Sequence, residues 1–103
     1  GEEVAQEIRH SGHQASCIET EATKLESLQS LLQQVQAIAP TVDMLINCAG
    51  INDGTPYVEI PLEKWNRVFE VNLTATHQAC QVFAPVMAAQ VGGGSILNIG
   101  SVT

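Results

Sequence analysis

Positive charge is scarce in this chain: of 103 residues only Arg9, Lys24, Lys64 and Arg67 are basic, against eleven acids, for a net charge of −7. Nucleic acids and anionic membrane surfaces are held by clustered cations, so neither is expected as a partner. The acidity itself serves solubility. Long hydrophobic runs are also absent, since none approaches the roughly 18 residues of a membrane span, and the N-terminus shows no signal pattern. Cysteines are few, odd in number and widely spaced (Cys17, Cys48, Cys80). That predicts neither a disulfide framework nor a zinc site, and free thiols point to a reducing cytoplasm. There is no Gly-x-Ser-x-Gly elbow for acyl transfer, and no Lys-Ser/Thr follows Gly92-Gly93-Gly94 to make a phosphate loop. His10, His13 and His77 have no metal-ligand spacing.

What is present is an ordinary globular composition, 45% hydrophobic, without repeats or a dividing linker. The chain is short for a whole α/β domain and opens on Gly1 rather than Met, which leads us to expect a piece of a longer protein. Glu2 to His10 reads as a helix with acids in its first turn and Gly12 placed as a C-terminal cap. Thr23 and Glu26 form a capping box ahead of a second helix carrying Leu25, Leu28, Leu31, Leu32, Val35 and Ile38 on one stripe, ended by Pro40. Leu62 to Gln90 reads as one long helix, kinked at Pro85. Three short apolar runs read as strands: Ala15 to Thr20, Val42 to Ile46 and Ser95 to Ile99. The latter two are apolar enough to be covered on both faces. Alternating helices and apolar strands predict an α/β fold with a parallel sheet.

The most telling stretch is Asn47-Cys48-Ala49-Gly50, directly after the apolar run ending at Ile46. A buried strand that opens into small residues lets a ligand lie against the backbone, and open α/β sheets bind ligands at that end of their strands. Val71-Asn72-Leu73 and Gly94 to Ser101 repeat the theme downstream. Together these segments resemble the middle of a short-chain dehydrogenase/reductase, with the ketoacyl reductases and the sugar-acid or polyol dehydrogenases as the subgroups implied.

That resemblance implies a Rossmann-type doubly wound parallel sheet, present here in part, as three strands and three helices within a single domain. It implies NAD or NADP as cofactor and hydride transfer between a ketone and a secondary alcohol. Asn47, Cys48, Ala49 and Gly50 match the family's Asn-Asn-Ala-Gly signature beside the cofactor ribose, with Cys48 departing from its second Asn. Glu21 and Ala22 stand where the family has an Asp-Val pair serving the adenine, and Ile99 joins these cofactor-binding positions. Asn72 matches the helix Asn that supports a water leading to the catalytic Lys; an amide suits this because it both donates and accepts. Ser101 matches the serine that hydrogen-bonds the substrate oxygen.

Two family elements fall outside the sequence: the Gly-rich pyrophosphate turn, expected before Gly1, and the Tyr-x-x-x-Lys pair, expected after Thr103. Tyr57 is not that tyrosine, because Pro61 stands four residues on. By itself the 103-residue chain is therefore expected to be inactive. In the implied strand order, two strands separate Ala15 to Thr20 from Val42 to Ile46. The resemblance leaves NAD against NADP open. It implies a homodimer or homotetramer through helix 62–90, where Val68, Val71, Ala75, Ala79, Val82, Phe83 and Val86 form more than one apolar stripe. The competing expectation is a non-catalytic Rossmann remnant that binds a nucleotide or a partner.

Overall fold

The first helix forms as expected over Glu2–His10 (α1) in the computed structural model, which describes residues 1–100. Glu2 and Glu3 in its first turn and Arg9 and His10 in its last complement the helix dipole. It closes in a Schellman motif. The Gly12 N–H donates to the Arg9 carbonyl at 3.1 Å and the His13 N–H to the Ile8 carbonyl at 3.3 Å. Gly12 takes φ +92°, which a side chain would resist.

The second helix, α2, spans Leu25–Ile38, but the capping box on Thr23 and Glu26 is not made. The helix starts one residue later than the box requires, with Lys24 at the cap and no side chain on the first-turn amides. Ser27 ties in the incoming chain instead, its Oγ accepting the Glu21 N–H at 2.8 Å.

From Leu62 to Ala89 the chain is helical throughout, in three parts: α3 (Leu62–Phe69), a π-turn (Glu70–Thr74) and α4 (Ala75–Ala89). The departure from α-geometry expected at Pro85 lies at the π-turn, and α4 runs unbroken through the proline. Such π-turns mark functional positions more often than chance allows.

Among the described residues two strands form, β1 (Met44–Asn47) and β2 (Ser95–Asn98), paired in parallel with Met44 opposite Ser95 and Asn47 opposite Asn98. The helix between them makes this a β-α-β unit. The third expected strand, Ala15 to Thr20, does not form: a strand needs a neighbour to take its N–H and C=O groups, and this segment has none among the described residues. A cleft of about 450 Å³ separates it from β1, lined by Ile18, Leu28, Val35, Leu45 and Phe83. Nor are both faces of the strands covered. Leu45 and Asn47 face α4, while Met44 and Ile46, on the other face, are 57% and 53% exposed.

Ala75, Ala79, Phe83 and Met87, one stripe of α4, are buried with Leu28 and Ala5. A second stripe, Val82 and Val86, lines a groove with Leu25 and Leu32 of α2. The free apolar surface lies further toward the N-terminal end of the long helix, where Leu62, Trp65, Phe69 and Leu73 are exposed at three- and four-residue spacing. At the end of the sheet away from Asn47 and Asn98, Gln90 clamps Val42: its Oε1 accepts the Val42 N–H at 2.8 Å and its Nε2 donates to the Val42 carbonyl at 2.9 Å. Among the described residues no helix is long and apolar enough to cross a membrane.

Candidate functional site

β1 ends at Asn47, and the chain then opens into Cys48, Ala49 and Gly50, all exposed and without regular structure. This segment has no ladder partner of its own, so side chains must fix it. Asn72 supplies the first restraint. Its Oδ1 accepts the Ile51 N–H at 2.7 Å and its Nδ2 donates to the Ile51 carbonyl at 2.8 Å. The π-turn carries Asn72, so that irregular turn is where the long helix meets the β1 exit. Gly50 is shaped by the same contact: a Cβ there would lie 3.3 Å from Asn72 Oδ1, tight enough to push the amide. Gly50 has no positive φ, so close approach is what its small size serves.

Asn47 turns toward α4 and donates from Nδ2 to Asn98 Oδ1 at 2.8 Å, with Cys80 Sγ of α4 at 3.7 Å. Ile99 is joined to the same residue through the backbone, its N–H donating to the Asn47 carbonyl at 2.9 Å. Ala22 lines the cleft together with Asn47, Cys48 and Ala49. Glu21 has its backbone N–H on Ser27, and the residue is exposed away from that lining. Four of the candidate cofactor positions thus share one cleft, Gly50 and Asn72 adjoin one another, and Ile99 sits on Asn47. Ser101 lies outside the described residues.

Beyond Ile51 the loop is pinned by Asp53, whose carboxylate accepts the Thr55 N–H at 2.8 Å and faces Lys64 Nζ at 3.7 Å. Hydrogen bonds from the Thr55 hydroxyl and backbone, helped by the Lys64 charge, hold the Asp53 carboxyl below its ordinary range.

Small residues at the β1 exit suit the adenosine end of a dinucleotide, which needs backbone approach and little charge. No cation lines the cleft, so its described lining offers an anionic group no charged partner. Asn98 was missed in the sequence. Its signal was present, as the one polar residue in the run Ile96-Leu97-Asn98-Ile99.

A parallel β-α-β unit whose strands open into small residues at one end is part of a Rossmann-type sheet. The family model for short chain dehydrogenases matches residues 1–103, and the chain belongs to that family. It is similar to glucose 1-dehydrogenase 2 of Bacillus subtilis, 32% identical over 98% of this chain and 40% of the relative. It is also similar to cis-4-hydroxycyclohexanecarboxylate dehydrogenase of Sinomonas cyclohexanicum, 30% identical over 98% of this chain and 41% of the relative. Among solved structures, a 7α-hydroxysteroid dehydrogenase complexed with NADH and 7-oxo glycochenodeoxycholic acid superposes with a TM-score of 0.88. That match is 31% identical and covers 97% of this chain and 38% of the other. The chain thus spans about two fifths of the length of these relatives.

Proposed function

We propose that this chain is the central part of an NAD- or NADP-dependent oxidoreductase that interconverts a secondary alcohol and a ketone. The observation that carries the reading is the grip of Asn72 on Ile51, which spends a polar side chain on fixing the strand exit where a cofactor lies. Relatives named for hydroxyl substrates, and one holding NADH with an oxo compound, support it.

In this reading Asn47, Cys48, Ala49 and Gly50 offer backbone to the adenosine side, with Ala22 across the cleft and Glu21 and Ile99 at its margins. Cys48 contributes through its backbone, in place of an amide side chain. When bound, the nicotinamide supplies or accepts the hydride. Ser101 donates a hydrogen bond to the substrate oxygen, where negative charge grows in the reductive direction. Asn72 acts as a positioning residue. The apolar floor of the cleft, Ile18, Leu28, Leu45 and Phe83, suits the two further strands of the implied order better than a polar ligand. Further parts of the fold would also complete the anion site and supply the Tyr-x-x-x-Lys pair, so the 103 residues alone are inactive. A second copy covers the exposed stripe of Leu62, Trp65, Phe69 and Leu73, giving a homodimer or homotetramer. The three free thiols suit the cytoplasm.

The test is nicotinamide absorbance with a full-length chain containing this segment, offered paired secondary alcohols and ketones with each cofactor. Hydride transfer is expected with one cofactor preferred, and Ser101→Ala should lower turnover by about 10²–10³ at nearly unchanged cofactor affinity. No turnover with any pair, or full activity in the Ser101→Ala variant, counts against the assignment.

A further inference from the structure

Asn47 and Asn98 stand opposite one another as the last residues of β1 and β2. Each is a polar side chain ending a largely apolar strand, and both lie on the α4 side of the sheet. The Asn47 Nδ2 donates to Asn98 Oδ1 at 2.8 Å and lies 3.7 Å from Cys80 Sγ. One amide group therefore joins both strands to the helix that covers them. The two strand ends then lead to different parts of the site. Asn47 runs into Cys48, Ala49 and Gly50, ahead of the residue that Asn72 holds. Asn98 runs, three positions on in the sequence, to Ser101.

We infer that Asn98 is a positioning residue: by accepting from Asn47 it sets the β2 exit against the cofactor-binding exit of β1. This rests on the oxidoreductase reading above. The backbone bond from Ile99 to Asn47 keeps the strands paired without the side chains, so what the amides add is orientation rather than pairing. Misplacing a reacting group by an ångström lowers turnover without touching the chemistry itself. Only the acceptor oxygen of Asn98 is used in the contact. Aspartate keeps that acceptor in the same shape, and leucine has similar volume without it.

The experiment compares the full-length chain with its Asn98→Asp, Asn98→Leu, Ser101→Ala and Asn98→Leu/Ser101→Ala variants, measuring kcat, cofactor Kd by titration of NADH or NADPH fluorescence, and Tm. Asn98→Leu is expected to lose roughly 10- to 100-fold in kcat with cofactor Kd changed less than about threefold, and Asn98→Asp to stay within about threefold of the parent. The double variant should be no slower than Ser101→Ala alone, because groups acting as one unit are not additive. A lowered Tm with unchanged kcat in Asn98→Leu, an aspartate variant no better than leucine, or losses that multiply in the double variant would each overturn the inference. An unmodified chain that transfers no hydride overturns the oxidoreductase reading itself, and the role of Asn98 with it.

Discussion

Asn72 holds Ile51 by both of its backbone groups, at 2.7 Å and 2.8 Å, so a side-chain amide takes the place of a neighbouring strand just past the end of β1. Each amide atom is already committed once. Both atoms are spent on the β1 exit, and any further partner must use the remaining capacity of the amide. Asn72 makes this contact from within the π-turn Glu70-Val71-Asn72-Leu73-Thr74, which contains no glycine or proline.

Replacing Asn72 by leucine leaves the Ile51 N–H and carbonyl to water at near-constant volume. Two hydrogen bonds at about 0.5–1.5 kcal/mol each are lost, and the exposure of the site puts the cost near the lower end. In a full-length chain, Asn72→Leu should lower Tm slightly and weaken cofactor binding several-fold. Calorimetric titration that finds unchanged cofactor affinity would show that the clamp does not serve the site.

The same contact shows what could and could not be read from residues alone. Glu2–His10 and Leu25–Ile38 were legible because a 3.6-residue stripe and a glycine or proline stop are local signals. β1 and β2 were placed within two residues for a similar reason: short apolar runs between turn residues. The segment Ala15 to Thr20 was misread because a strand is defined by its neighbour, which propensity does not supply. The π-turn escaped because its own residues carry no glycine or proline to mark it. Asn98 escaped because its meaning depends on which strand lies beside β2, across 51 residues of sequence.

Gly94 is a packing glycine. A Cβ there would lie 2.6 Å from Met87 Cε and 3.2 Å from the carbonyl oxygens of both Val42 and Asp43. The methionine end can swing aside, but the two carbonyls belong to the chain entering β1. Gly94→Ala should therefore cost about 1–3 kcal/mol in urea unfolding of a full-length chain. Gly92→Ala, with nothing within 4 Å, should be close to neutral. Equal effects at the two positions would contradict the packing account.

Asp53 should titrate below the ordinary carboxylate value of 3.8, because Thr55 and Lys64 favour its charged form. A depressed folded-state pKa gives stability that is present above the unfolded value and lost as pH falls through the folded one. The loop at 52–56 should thus be indifferent to pH near neutrality and loosen only in strong acid. Carboxyl NMR titration checks the direction, and Asp53→Asn, which keeps an acceptor for the Thr55 N–H but drops the charge, should remove the acid-linked part. A midpoint at or above the ordinary value would refute it.

The exposed stripe on the long helix sets the assembly prediction. Trp65 and Phe69 pack in a tilted arrangement, ring centroids 4.9 Å apart and planes at 49°, and Leu62 and Leu73 extend the same surface at 71% and 60% exposure. Phe69→Glu in a full-length chain should shift light-scattering mass from dimer or tetramer toward monomer at micromolar concentration. A parent chain that is already monomeric would remove this role for the stripe.

The 103 residues by themselves make too little interior to melt as a unit. They expose 7678 Å², against roughly 5600 Å² for a compact domain of the same mass, and their radius of gyration is 16.0 Å, against about 13 Å. Among the described residues no side chain is fully buried, and the sheet has two strands, a number that is marginal in water. Ala15 to Thr20 presents backbone groups with no ladder partner across the cleft from β1, each costing about 1–3 kcal/mol if buried unpaired. Here the segment is exposed or half-buried, so it escapes that cost but adds no pairing to a fold whose whole-domain stability would be only about 5–15 kcal/mol. Circular dichroism of the isolated 103-residue chain should show helix that fades gradually on heating, and NAD(H) or NADP(H) should leave the curve unchanged. A sharp transition that moves up with cofactor would mean that Ala15 to Thr20 had found a partner strand and that the cleft had closed around the nucleotide.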